Sequence, residues 1–147
     1  ELPLEDWLEQ LHPDLANLLS GARDAIHESN PDRTRHVTTS IRELFTHVLH
    51  HLAPDHGVRG WSSSVEYYHE GHPTRRARLL YINRGIDVGP LSDFVDADVD
   101  SALKLFDALH AGTHGITSRL TDRQLRAMIA RIESLLLFLF RINASNE

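Results

Sequence analysis

The sequence predicts an all-α fold, a bundle of about five to six helices forming one domain. Apolar residues recur at intervals of three and four through the beginning, middle and end of the chain, a spacing that gathers side chains on one face of a helix. The segments so marked are separated by prolines, glycines and capping residues, where helices start and stop. The length of 147 residues also suffices for a single hydrophobic core without metals or cross-links.

Leu4, Trp7, Leu8 and Leu11 mark a first helical piece, and Leu15, Leu18, Leu19, Ala22 and Ile26 a second, with Pro13 suited to its first turn. Asn30 and Pro31 interrupt, and Asp32 fits the start of the next helix. That helix, running to Pro54, organises the chain. Val37, Ile41, Leu44, Val48 and Leu52 make its core side, widened by Phe45 and Leu49. A second series, His36, Ser40, Glu43, His47 and His50, steps by four, three, four and three and lines up as a polar ridge, with Arg35 and Arg42 beside it.

Asp55 to Gly60 reads as a turn, and Trp61, Val65 and Tyr68 as one short helix closed by Gly71. The stretch near 73–84 reads as an extra helix with Pro73 in its first turn, or as a short strand over 77–82. Residues 85–100 form an acidic connection, part loop, after which Asp98 or Asp100 begins a helix with Leu103, Phe106 and Leu109 or His110 inward. Gly112 is placed to terminate it in the left-handed conformation. Thr121 and Gln124 have capping-box spacing. The last helix, Leu125 to Ile142, keeps Leu125, Met128, Ile129, Ile132, Leu135, Leu136 and Leu139 on one seam. Leu137, Phe138 and Phe140 make its end apolar all round, so it is either central to the domain or covered by a partner.

Composition narrows function. With no cysteine there is no disulfide, thiolate metal site or cysteine nucleophile, and a reducing, cytoplasmic setting is expected. A formal charge of -6 argues against coating nucleic acid by bulk electrostatics, while leaving room for a local basic patch. No apolar run approaches the ~20 residues of a membrane helix, and no signal peptide is evident. The chain begins at Glu1 and its one methionine is Met128, so an origin within a longer polypeptide is expected.

Eleven histidines are the oddity. His47 and His51 have the four-residue spacing of two imidazoles on one metal, but a fixed third ligand is not evident, and hydrogen-bonded or solvated histidines are the better reading; no metal and no cofactor are expected. Arg42 and His47 match R-x4-H, although five residues of regular helix set two side chains roughly 140° apart. Arg75, Arg76 and Arg78 form the concentrated basic patch. It suits phosphate recognition near a helix start, or ion pairing with the acidic segment Asp93 to Asp100. His110 and His114 flank Gly112, and His114 is a candidate general acid or base. Neither a phosphate-binding glycine loop nor a dinucleotide fingerprint occurs.

The stretches Arg35 to Asp55, Thr74 to Ile82 and Leu109 to Leu139 together resemble the helical domains of bacterial conflict systems described as predicted PIWI-associating nucleases, and the broader HEPN-type domains. The resemblance implies an all-helical, HEPN-like bundle in an antiviral or toxin-like system, with metal-independent RNA cleavage by paired protomers. In HEPN ribonucleases an arginine acts with a histidine in a turn similar to Ala111 to Gly115. His114 fits that histidine. The positions five to seven residues before it are Leu109, Ala108 and Asp107, so the arginine is absent there, and Arg42 with His47 supplies the alternative pair.

The expectation is therefore a nuclease-associated module that cleaves RNA or binds RNA or nucleotide. His114 or His47 would transfer protons, and Arg42 or the Arg75, Arg76 and Arg78 group would hold phosphate charge, in a homodimer or beside other domains of a parent protein. The alternative is a non-catalytic interaction or dimerisation domain. A cleft beside the polar ridge would favour the first.

Overall fold

Seven α-helices and one minimal hairpin are found among the described residues of the computed structural model, which are 1–114 and 120–146 without the side chain of His114. Helices α1 (Leu4–Leu11) and α2 (Pro13–Ala25) are separated by His12, whose Nδ1 accepts from the backbone N–H of Asp14, with Pro13 opening α2. Helix α3 (Arg33–Leu52) packs against α2 and against three later helices. Val37, Ile41, Leu44, Phe45, Val48, Leu49 and Leu52 are all buried, as the spacing of three and four requires.

The stretch after Pro54 departs from expectation. Residues Asp55–Trp61 form a helix, α4, and the chain beyond Trp61 is not a helix but a single tight turn leading into an antiparallel hairpin of β1 (Tyr68–His69) and β2 (His72–Pro73). Glu70 (φ 51°) and Gly71 (φ 82°) both sit in the left-handed region, which a two-residue hairpin loop of this hand needs at both positions. Pro73 thus belongs to the hairpin. Thr74 caps helix α5 (Arg75–Ile82), its Oγ1 accepting from Ala77 N–H at 3.1 Å, so the helical reading of this stretch is the right one.

Helix α6 (Ser92–His114) starts before Asp98, so of the expected acidic connection residues 85–91 are connection and 92–100 are the first turns of the helix. Val95, Val99, Ala102, Phe106 and Leu109 are buried at intervals of four, three, four and three, while Asp96, Asp100 and Asp107 are exposed and Asp98 is half-buried beside Arg131; His110, expected inward as the alternative to Leu109, is exposed. Gly112 does not end this helix. A Cβ at that position would lie 2.6 Å from Thr38 Cγ2, so glycine is required for α6 to cross α3 this closely. At the crossing Thr113 Oγ1 donates to Thr38 Oγ1 (3.2 Å), which donates to Thr34 O (2.8 Å).

Helix α7 (Asp122–Ala144) opens with the full capping box of Thr121 and Gln124. Its apolar end is central to the domain: Leu135, Leu136, Leu139 and Phe140 are buried, Trp7 stacks on Phe140 at 5.5 Å, and Phe138 meets the edge of Phe94. No helix among the described residues is long and apolar enough to cross a membrane.

Candidate functional site

The C-terminal end of α3, the hairpin and the first turn of α5 surround a cleft of about 750 Å³. Its walls carry Thr46 and His50 from α3, Asp55 from α4, His69 and His72 from the hairpin, and Thr74, Arg75 and Arg78 around the start of α5. His69 and His72 are cross-strand partners, which sets their side chains on one face of the hairpin.

Arg78 is the buried centre of this arrangement, with a side chain only 4% exposed. Its Nη1 donates to Ala53 O at 2.6 Å and its Nη2 to Asp55 Oδ1 at 2.7 Å, so one guanidinium satisfies both the end of α3 and the first residue of α4. The other carboxylate oxygen, Asp55 Oδ2, lies 3.1 Å from His72 Nδ1. The Arg78 and His72 hydrogen bonds pull the pKa of Asp55 down to about 2. An ionised carboxylate only accepts, so His72 Nδ1 carries the proton in this contact and Nε2 is left to act elsewhere.

His50 reaches the cleft from the other side. Burial of its ring against the wall, then the Arg78 charge, push its pKa below the usual imidazole value; Asp55 opposes them and His47 and His51 add to the depression. It stays solvent-accessible and is neutral at neutral pH. The Arg75 guanidinium carbon sits over the Phe106 ring, 3.7 Å from its centroid, a cation–π contact that favours this placement on the cleft wall.

The basic patch is therefore divided among three tasks. Arg75 lines the cleft, Arg76 pairs with Asp100 on α6, and Arg78 is an internal strut. On the polar ridge His36 lies beside Asp32 (3.8 Å), and Glu43 and His47 face solvent while Ser40 is half-buried; of the five, His50 enters the cleft. Arg42 Nη1 is 3.4 Å from His110 Nδ1, bridging α3 to α6. His114 closes α6, but its side chain lies outside the described residues and its role as proton-transfer group is untouched by the geometry. Among the described residues no three His, Asp or Glu side chains converge as a metal site.

Asp55, His69, Glu70, His72, Thr46 and Thr74 are polar cleft residues that sequence reasoning did not single out as site residues. Contacts across a turn and a hairpin carry no periodic signal, and the only hint was the position of Asp55 and His72 beside the histidine and arginine clusters.

No curated protein matches the chain, and no solved structure does. One family does match, described as predicted pPIWI-associating nuclease, over residues 8–139. That span holds every cleft residue and all but the outer ends of α1 and α7, and the chain belongs to the family of predicted pPIWI-associating nucleases.

Proposed function

We propose that this domain cleaves RNA at the α3–hairpin–α5 cleft by metal-independent transesterification. The observation that carries the reading is the Arg78–Asp55–His72 relay facing a neutral His50 across one cleft. Neutral His50 takes the proton from a ribose 2′-hydroxyl, whose oxygen attacks the adjacent phosphorus. His72, protonated and steered by Asp55, gives its Nε2 proton to the departing 5′-oxygen, leaving a 2′,3′-cyclic phosphate. Arg75 holds the charge that builds on the phosphate oxygens. This assignment moves the chemistry from the His114, His47 and Arg42 set toward His50 and His72, and keeps Arg75 as phosphate ligand.

The family description names association with pPIWI, which supports a place beside a pPIWI partner; a bacterial defence system is carried over from the resemblance, and a cytoplasmic setting from the lack of cysteine. The test is cleavage of a mixed RNA pool in excess chelator by the tag-free protein, with His50→Ala, His72→Ala and His114→Ala in parallel. Loss in the first two with retention in the third supports the cleft; loss only in His114→Ala returns the chemistry to the end of α6.

A second reading, a non-catalytic interaction or homodimerisation domain, is favoured by one surface. Phe94 (46% exposed) lies against Phe138 beside a shallow pocket, and Val88 (67%) and Leu91 (45%), just before it in the chain, are also left uncovered by the bundle. A folded, monodisperse dimer without cleavage would select it.

A further inference from the structure

Arg42, Thr46 and His50 lie four residues apart on α3, so they form one stripe along the helix, and its lower two members line the cleft. Arg42 sits about 12 Å along the helix axis from His50, a separation that no single phosphate group can bridge. It meets α6 there through His110, 3.4 Å away. Arg75, over Phe106 of the same α6, lines the cleft with His50 and lies close enough to Arg42 to feel its charge.

The geometry points to a second phosphate subsite at Arg42 and His110, reached over Thr46 and Arg75 from the cleft, so that the ligand is a single-stranded polynucleotide and not a mononucleotide. This rests on the reading of the cleft as a phosphodiester site and extends it along the strand. The charge pattern agrees. Arg75 has its pKa lowered first by burial; Asp107 opposes this, and the nearby Arg42 lowers it further, so cations converge here in a chain of net charge -6. An anion lying across both guanidiniums relieves that repulsion. Separate phosphates on a flexible backbone suit the spread, because each cation takes its own phosphate and releases its own counterion.

The test is binding alone, which keeps it independent of catalysis. Fluorescence anisotropy with a non-cleavable, 2′-O-methylated single strand of about ten nucleotides is followed against salt for the whole 147-residue chain. Arg42→Ala is expected to weaken binding and to reduce the salt slope by about 0.7, the increment for one phosphate of a single strand that is no longer neutralised. Arg42→Lys keeps the slope because it keeps the charge. Arg126→Ala, on a different pocket of α7, leaves both unchanged. An unchanged slope in folded Arg42→Ala, or an equal loss in Arg126→Ala, overturns the subsite. Binding that depends on Arg42 in a protein that cleaves nothing would keep the subsite and remove the nuclease reading.

Discussion

Arg78 and Asp55, separated by 23 residues, are joined by a 2.7 Å ion pair whose arginine is almost wholly buried and whose carboxylate opens into the cleft. The pair ties three elements at one point: the end of α3 through Ala53 O, the start of α4 through Asp55, and the hairpin through His72. Its first consequence is structural. Arg78→Met removes the donor from a buried carbonyl and from an ionised carboxylate together, and is expected to cost about 3 kcal/mol in urea denaturation. Asp55→Asn/Arg78→Met should cost less than the two single changes added, since each single variant leaves the other partner stranded. Strict additivity would mean that the two groups are energetically independent.

Acid denaturation reads the same pair through protons. Asp55 has its pKa lowered from 3.8 to about 2, so the folded state holds the ionised form more tightly than the unfolded chain does. The sign follows: this stabilisation is fully present above pH 3.8 and is lost as pH falls through about 2. With a third of the side chain exposed, solvent screening reduces the contribution to about 1 to 2 kcal/mol. Asp55→Asn should flatten that part of the stability profile between pH 4 and 2, measured by thermal melts, and leave its slope above pH 5 untouched.

Periodicity revealed the helices because burial repeats with the helix. The α3 core stripe, the capping box at Thr121 and Gln124, and the start of α2 at Pro13 could all be read directly. The failures have separate physical causes. Val95 and Val99 continue the buried stripe of α6 backward, but the four aspartates between 93 and 100 gave the segment the composition of a connection, although Asp96 and Asp100 fit the exposed face and Asp93 favours the N-terminus. Gly112 carries the composition of a helix end and serves a helix crossing, a difference that depends on Thr38 being opposite. At the site, His50 and Arg75 were legible as chemistry, whereas Asp55 acquires its role from Arg78 and His72, partners supplied by tertiary structure alone.

Two glycines separate crossing from propensity. Gly21, within α2, has open space where a Cβ would be, so Gly21→Ala should stabilise by about 0.5 to 1 kcal/mol through helix propensity. Gly112→Ala gains the same propensity but presses on Thr38, and should destabilise by about 1 to 3 kcal/mol. Adding Thr38→Ser removes the Cγ2 atom that the new methyl would meet and should recover part of the loss, as a coupling energy from thermal melts. No recovery would place the strain elsewhere in the α3–α6 crossing.

Cleavage should carry the signature of His50. Its pKa is lowered from 6.5, so the neutral base persists below pH 6.5 and the acid limb of kcat/KM falls on that side. The same shift makes the neutral state the one that favours folding; that contribution is complete above pH 6.5 and declines as pH falls through the lowered value. Burial is the larger cause and the Arg78 charge the second, so Arg78→Met should move the limb upward only part of the way toward 6.5. A limb that ignores Arg78 would assign the titration to another group.

The three arginines of α5 give the sharpest discrimination, because neighbouring residues of one type do unlike things. Arg76 is an exposed partner of Asp100, so Arg76→Ala should alter stability by well under about 1 kcal/mol and leave cleavage within about twofold. Arg75→Ala removes the proposed phosphate ligand and should lower kcat/KM by about a hundredfold with the fold intact. Arg75→Lys keeps the charge but loses the planar guanidinium that lies 3.7 Å over Phe106, so it should recover only a minor part of that loss. Full recovery by lysine would mean that charge alone suffices and that stacking does not position the ligand. Equal losses from Arg75→Ala and Arg76→Ala would mean that the patch acts as a diffuse field, and the cleft would no longer be where the phosphate is held.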